Sequence, residues 1–133
     1  MERKMIDKKR ILIADDDRNV RKLLTIQLDR AGYEVILADN GLEAIRMLRA
    51  MPQPPDLILL DLLMPMYSGL DVLEKLKETS PTIPVMLMSA VELPIARQVV
   101  VLSNPIPYLV KPFELPVLLK KIETLLQPVS VID

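Results

Sequence analysis

Leu57-Ile-Leu-Leu-Asp61 is the stretch that decides the fold. Its first four residues are apolar with no polar alternate, the pattern of a strand covered by helices on both faces, and it ends on a carboxylate. Outward from it, residues 11–14, 35–38, 85–88 and 108–110 are similar short apolar runs bounded by polar or turn residues. Between these runs, residues 19–30, 42–50 and 70–78 carry Leu, Ile, Val or Met at three- and four-residue spacing, and residues 117–126 do so after the last run. Asn40-Gly41 is read as the opening of the second helix, and Ser68 with Asp71 three residues on as a capping box opening the third. Pro54-Pro55 closes the link into the third strand. Short strands alternating with helices require parallel crossovers, so the expected architecture is a doubly wound α/β sandwich of five parallel strands with helices on both faces.

Composition narrows the chemistry. The chain has 133 residues, room for one ordinary domain. We expect that domain to span residues 1–127, with 128–133 a tail or the start of a linker. It is 50% hydrophobic and 26% charged, as compact globular proteins are. A formal net charge of -1 argues against a broad footprint for nucleic acid or an anionic membrane, so no direct nucleic-acid binding is expected. There is no cysteine and no histidine, which removes thiolate catalysis, Ser-His-Asp triads and most zinc chemistry. What is left is oxygen chemistry: carboxylates, hydroxyls, lysines and a hard metal ion. Residues 1–10 are charged without an apolar run of signal length, and no stretch is long enough to span a bilayer, so the cytoplasm is the expected compartment.

In doubly wound sheets ligands bind beyond the carboxyl ends of the strands. Here the first strand runs into Asp15-Asp16-Asp17, the third into Asp61, the fourth into Ser89-Ala90 and the fifth into Lys111-Pro112. Carboxylates converging on one edge repel unless a cation compensates, and hard oxygen ligands suit Mg²⁺, which also accepts phosphate. Lys111 brings a second positive charge, and an aspartate between the two can act as a nucleophile toward phosphorus. Each piece alone is ordinary. An Asp run after a strand is usually a helix cap, the role read for Asp17, and a lone Lys-Pro is usually a loop. The four together, in this order at four strand ends, make a site.

Ile11-Leu-Ile-Ala-Asp-Asp-Asp17, Leu57-Ile-Leu-Leu-Asp-Leu-Leu-Met-Pro-Met66 with Gly69, Met88-Ser-Ala90 and Tyr108-Leu-Val-Lys-Pro-Phe113 resemble the receiver domains of bacterial response regulators, over nearly the whole chain. That resemblance implies a flavodoxin-like sheet of order 2-1-3-4-5 and a phosphoacceptor module of two-component signalling. A histidine kinase or phosphotransfer protein would be the donor and an effector protein the output. By resemblance Asp61 is the phosphorylated residue. Asp16, Asp61 and the Leu63 backbone carbonyl reach Mg²⁺, for which Mn²⁺ substitutes, and Asp15 completes the acidic pocket through water. Ser89 and Ala90 contact phosphate, Lys111 is the phosphate-binding lysine, Tyr108 is the aromatic switch residue, and Lys111-Pro112 is a cis peptide. Leu63 and Val91 flank the path of hydrolytic water in such domains, and their apolar side chains imply a long-lived phosphorylated form. The module is expected to catalyse its own phosphorylation and dephosphorylation without being a turnover enzyme.

Two departures stand out. Ser103-Asn-Pro-Ile-Pro107 replaces the Gly-Ala and acidic residues that many relatives carry before the aromatic, which weakens any claim to a charged dimer interface. Residues 98–102 include three consecutive valines, which disfavour a long regular helix, so the helix before the fifth strand is expected to be short or displaced. Ile95, Val99 and Leu102 recur there at helical spacing, with Ile106 nearby, and are read either as core or as a contact of a homodimer or partner. Asp15-x-Asp17 superficially resembles the nucleophile motif of haloacid-dehalogenase-type phosphatases. That motif continues with Thr or Val where Asn19 stands, and the chain has little length for cap elements. A pseudo-receiver acting without phosphorylation is at odds with the full set of site residues.

Overall fold

A computed structural model describes residues 8–79, 82–90 and 106–127. The elements run β1 (Arg10–Ala14), α1 (Arg18–Arg30), β2 (Glu34–Ala38), α2 (Gly41–Ala50), β3 (Leu57–Asp61), α3 (Gly69–Thr79), β4 (Val85–Ser89), β5 (Tyr108–Val110) and α4 (Leu115–Leu126). Five parallel strands form one sheet in the order β2-β1-β3-β4-β5. The expected fold and strand order are both found. Residues 98–102, for which a short or displaced helix is expected, lie outside the described residues, as do Val91 and the tail.

Side chains alternate across a strand with period two, and here each alternate set meets helices. Ile11 and Ile13 of β1, Leu57 and Leu59 of β3, and Met86 and Met88 of β4 pack with Leu24 and Leu28 of α1 and Leu118 and Ile122 of α4. Leu12, Ile58, Leu60 and Leu87 face the other way, onto Ala44 and Ile45 of α2 and Val72, Leu73 and Leu76 of α3. All of β3 is buried, which accounts for its lack of polar alternation.

The helix starts follow local chemistry. Asp17 caps α1, accepting from the Asn19 amide at 2.8 Å and the Val20 amide at 3.3 Å, and Asn40 caps α2 through the Glu43 amide at 2.8 Å. Ser68 and Asp71 form the reciprocal box: the Ser68 amide donates to Asp71 Oδ2 at 2.9 Å and the Asp71 amide to Ser68 Oγ at 3.2 Å. The last helix begins two residues earlier than its apolar spacing predicts, because Pro116 sits in the first turn, where a missing N–H costs nothing.

At the head of α3, Gly69 lies against the backbone of β3. Its amide donates to the Leu62 carbonyl at 2.9 Å. A Cβ at this position would collide with the Asp61 carbonyl oxygen and stand 2.8 Å from Leu62 Cα. Both neighbours are backbone and cannot turn away. Gly69→Ala is therefore expected to destabilise the fold by about 1–3 kcal/mol, read as a lower urea midpoint at unchanged slope. A midpoint equal to that of the wild type would show that α3 shifts at no cost.

Candidate functional site

The site lies at the carboxyl edge of the sheet, where the strand ladder carries on into the loops. The Leu62 amide donates to the Met88 carbonyl at 2.9 Å and the Lys111 amide to the Ser89 carbonyl at 2.8 Å, so the segments bearing Asp61, Ser89 and Lys111 are held to one another by backbone. Asp61 and Ser89 close β3 and β4 rather than following them. Asp15 and Asp16 follow β1, and Lys111 follows β5.

Asp15 is fully buried, Asp61 is 5% exposed and Ser89 1%, the buried polar residues among those described. Lys111 Nζ lies 2.6 Å from Asp15 Oδ2 and 3.5 Å from Asp61 Oδ2. The other Asp15 oxygen accepts from the Asp17 amide at 2.8 Å, and Asp61 Oδ1 accepts from the Leu63 amide at 3.3 Å. Asp16 is exposed, yet one oxygen from each of Asp15, Asp16 and Asp61 lies within 4.8 Å of the others. Lys111-Pro112 is cis. Ala90 is exposed beside Ser89, Leu63 is half exposed, and Tyr108 at the start of β5 is partly buried. The structure thus brings Asp15, Asp16, Asp61, Leu63, Ser89, Ala90, Tyr108 and Lys111 to one edge.

The electrostatics are unbalanced. Burial pushes the Asp61 carboxyl up from 3.8 to about 6, the Asp15 and Asp16 charges add to this, and Lys111 and the Leu63 amide only partly oppose it. Burial alone would lower the Lys111 ammonium, but its hydrogen bond to Asp15 and the charges of Asp15 and Asp61 outweigh burial, and the net shift is upward. Burial also raises the Tyr108 hydroxyl. Its hydrogen bond with Ser89 partly opposes that rise and the Asp61 charge reinforces it, so tyrosine, serine and aspartate act on one another. Three carboxylates against one ammonium leave the pocket short of positive charge. The donors are hard oxygens, so they fit a hard divalent cation.

Beside the pocket an apolar recess of about 360 Å³ opens between Val20, Leu23 and Leu24 of α1 and Pro112-Phe113. Two features escape a reading of the sequence. Arg21 is largely buried and donates to the Asp15 carbonyl; its one signal is a cation one turn into a helix, where it opposes the macrodipole. Met66, 85% exposed, adopts φ 70°, a left-handed backbone that costs a side-chain-bearing residue about 1 kcal/mol. Methionine is not a turn residue, so nothing in the sequence announces it.

The response regulator receiver domain family matches residues 11–123. Response regulator MprA of Mycobacterium ulcerans is 36% identical over 124 residues, covering 93% of this chain and 53% of that protein. MprA of Mycobacterium avium is 37% identical over 118 residues, covering 89% and 51%. The chain spans about half the length of these relatives. Among solved structures, the response regulator TrrA of Thermotoga maritima, in complex with Mg²⁺ and BeF, is 32% identical with a TM-score of 0.77, covering 88% of this chain and 98% of that one. The chemotaxis protein CheY4 of Vibrio cholerae is 26% identical with a TM-score of 0.81, covering 90% and 99%. With the sheet order, the acidic edge and these matches in agreement, the chain belongs to the response regulator receiver domains of two-component systems.

Proposed function

We propose that this receiver takes a phosphoryl group on Asp61 from a histidine kinase or phosphotransfer protein and relays the change to an effector protein. The observation that carries the reading is the Asp61 carboxylate, buried between the acidic pair and the Lys111 ammonium. With its carboxyl at about 6, Asp61 is mostly ionised at pH 7. One of its oxygens forms the new P–O bond as the donor's bond to phosphorus breaks, P–N in a phosphohistidine or P–O in an acyl phosphate. Lys111 balances charge on the phosphoryl oxygens and Ser89 donates a hydrogen bond to one of them. Asp16, Asp61 and the Leu63 carbonyl would hold Mg²⁺, or Mn²⁺ in its place, which supplies further neutralisation at the transferring group. Both Asp15 oxygens are already engaged, by Lys111 and by the Asp17 amide, which favours contact with the ion through water.

Once Ser89 turns to phosphate, its contact with Tyr108 changes, and β5 becomes the face that reports the state. The apolar recess bordered by Ala90 and Lys111 offers the donor a seat. Leu63 and Val91 give hydrolytic water no hydrogen bond, which favours slow self-dephosphorylation. Incubation with acetyl phosphate and Mg²⁺ is expected to add one phosphoryl group to the intact chain, borne by Asp61 after reductive trapping and peptide mapping. No adduct, or an adduct elsewhere, would refute the reading.

A further inference from the structure

Arg21 has no place in the phosphotransfer just described, and its surroundings are unusual. Its side chain is only 15% exposed, and it stands one turn into α1, where a positive charge opposes the helix macrodipole. What holds it is the loop that begins the site. Nη1 donates to the backbone carbonyl of Asp15 at 2.7 Å, and Nη2 lies 3.6 Å from Oδ1 of Asp39, between β2 and α2. The Asp15 carbonyl belongs to the peptide that joins Asp15 to Asp16. A peptide is planar, so fixing its oxygen fixes the direction in which Asp16 leaves the strand. Asp16 needs such help: it is exposed, and no side chain among the described residues holds its carboxylate.

We propose that Arg21 is a positioning residue of the metal site, clamping the Asp15–Asp16 peptide so that the Asp16 carboxylate faces those of Asp15 and Asp61. The proposal rests on the reading of Asp16 and Asp61 as Mg²⁺ ligands. It makes a prediction of definite sign. Were Arg21 merely a nearby cation, removing its charge would strengthen Mg²⁺ binding. As a clamp, its loss weakens binding by about tenfold, the usual effect of removing a group that orients a metal ligand.

Calorimetric titration of the full chain with Mg²⁺ alone separates these, using wild type, Arg21→Gln, Arg21→Lys and Asp16→Ala. We expect Arg21→Gln to bind about tenfold more weakly and Arg21→Lys to fall between, since lysine can reach one acceptor but not two. In the metal-free protein, amide exchange at Asp16 and Asp17 should quicken in Arg21→Gln while the β3 amides keep wild-type protection. If Arg21→Gln does not fold, Arg21→Lys carries the test with the charge retained. Wild type that binds, Asp16→Ala that does not, and an Arg21 variant that binds as tightly as wild type or more tightly would overturn the clamp alone. Wild type that takes up no Mg²⁺ overturns the ligand reading and the clamp with it.

Discussion

Asp61→Asn is expected to abolish phosphoryl uptake from acetyl phosphate and, in the metal-free protein at pH 7.5, to raise stability by about 2–3 kcal/mol. The two effects share one cause. The carboxylate that makes the nucleophile is also a buried charge among like charges, held at about 6 where an ordinary aspartate stands at 3.8. A carboxyl raised from 3.8 to about 6 on folding binds its proton more tightly in the native state. Its contribution is fully present below pH 4, declines as pH rises, and is gone above pH 6, where the folded protein must carry the ionised form. That difference corresponds to about 3 kcal/mol, a net figure in which the 3.5 Å pairing with Lys111 is already included. Urea denaturation from pH 4 to pH 8 checks it: the two proteins should nearly coincide at the acid end and diverge through pH 6. Saturating Mg²⁺ should narrow the gap, since an ion bound only by the folded state stabilises the wild type more. A variant no more stable than wild type at pH 7.5 would mean that the pocket tolerates its charge. Label uptake at the wild-type rate would move the nucleophile elsewhere.

The sheet and the chemistry of its edge were legible in the sequence for the same reason. A strand buried on both faces must be apolar throughout, so a polar residue at its carboxyl end stands out, as Asp61 does after Leu57-Ile-Leu-Leu. Caps were legible too, because Asp17, Asn40 and the Ser68–Asp71 pair act on amides two or three residues away. What stayed hidden depends on contacts between distant segments or on backbone conformation. Arg21 reads as one more polar position on an amphipathic helix, and its role appears only when the Asp15 carbonyl and Asp39 are brought to it. The tight seat of Gly69 on the Asp61 backbone is likewise a product of the folded loop, and the left-handed turn falls on Met66, a residue with no preference for it.

Lys111→Met is expected to cost the metal-free protein about 3 kcal/mol at pH 8, more than any single apolar contact at this edge could contribute. Methionine keeps much of the length and packing of the stem, so the loss isolates the charge. Asp15 is fully buried, and the bond from Lys111 at 2.6 Å is the cationic contact to its carboxylate, leaving the Asp17 amide as the remaining partner once lysine is gone. Removing one member of a buried pair strands the other, which is why truncation is dearer than the net worth of the pair. Asp61 is affected in the same direction. Lys111 is the neighbour that chiefly holds its carboxyl down, so in the variant it rises further, and the stability lost between acid and neutral pH grows. The deficit should therefore be largest at pH 8 and shrink toward pH 5, where a protonated Asp61 no longer repels Asp15. Mg²⁺ should recover part of it by restoring positive charge. Combining Lys111→Met with Asp61→Asn should cost less than the lysine change alone, because one buried uncompensated carboxylate, that of Asp15, remains instead of two, with a coupling of about 1–3 kcal/mol. Urea titrations at both pH values, with and without Mg²⁺, decide the matter: a Lys111→Met protein as stable as wild type at pH 8 without the metal would show that the acidic pair is compensated by something other than this lysine.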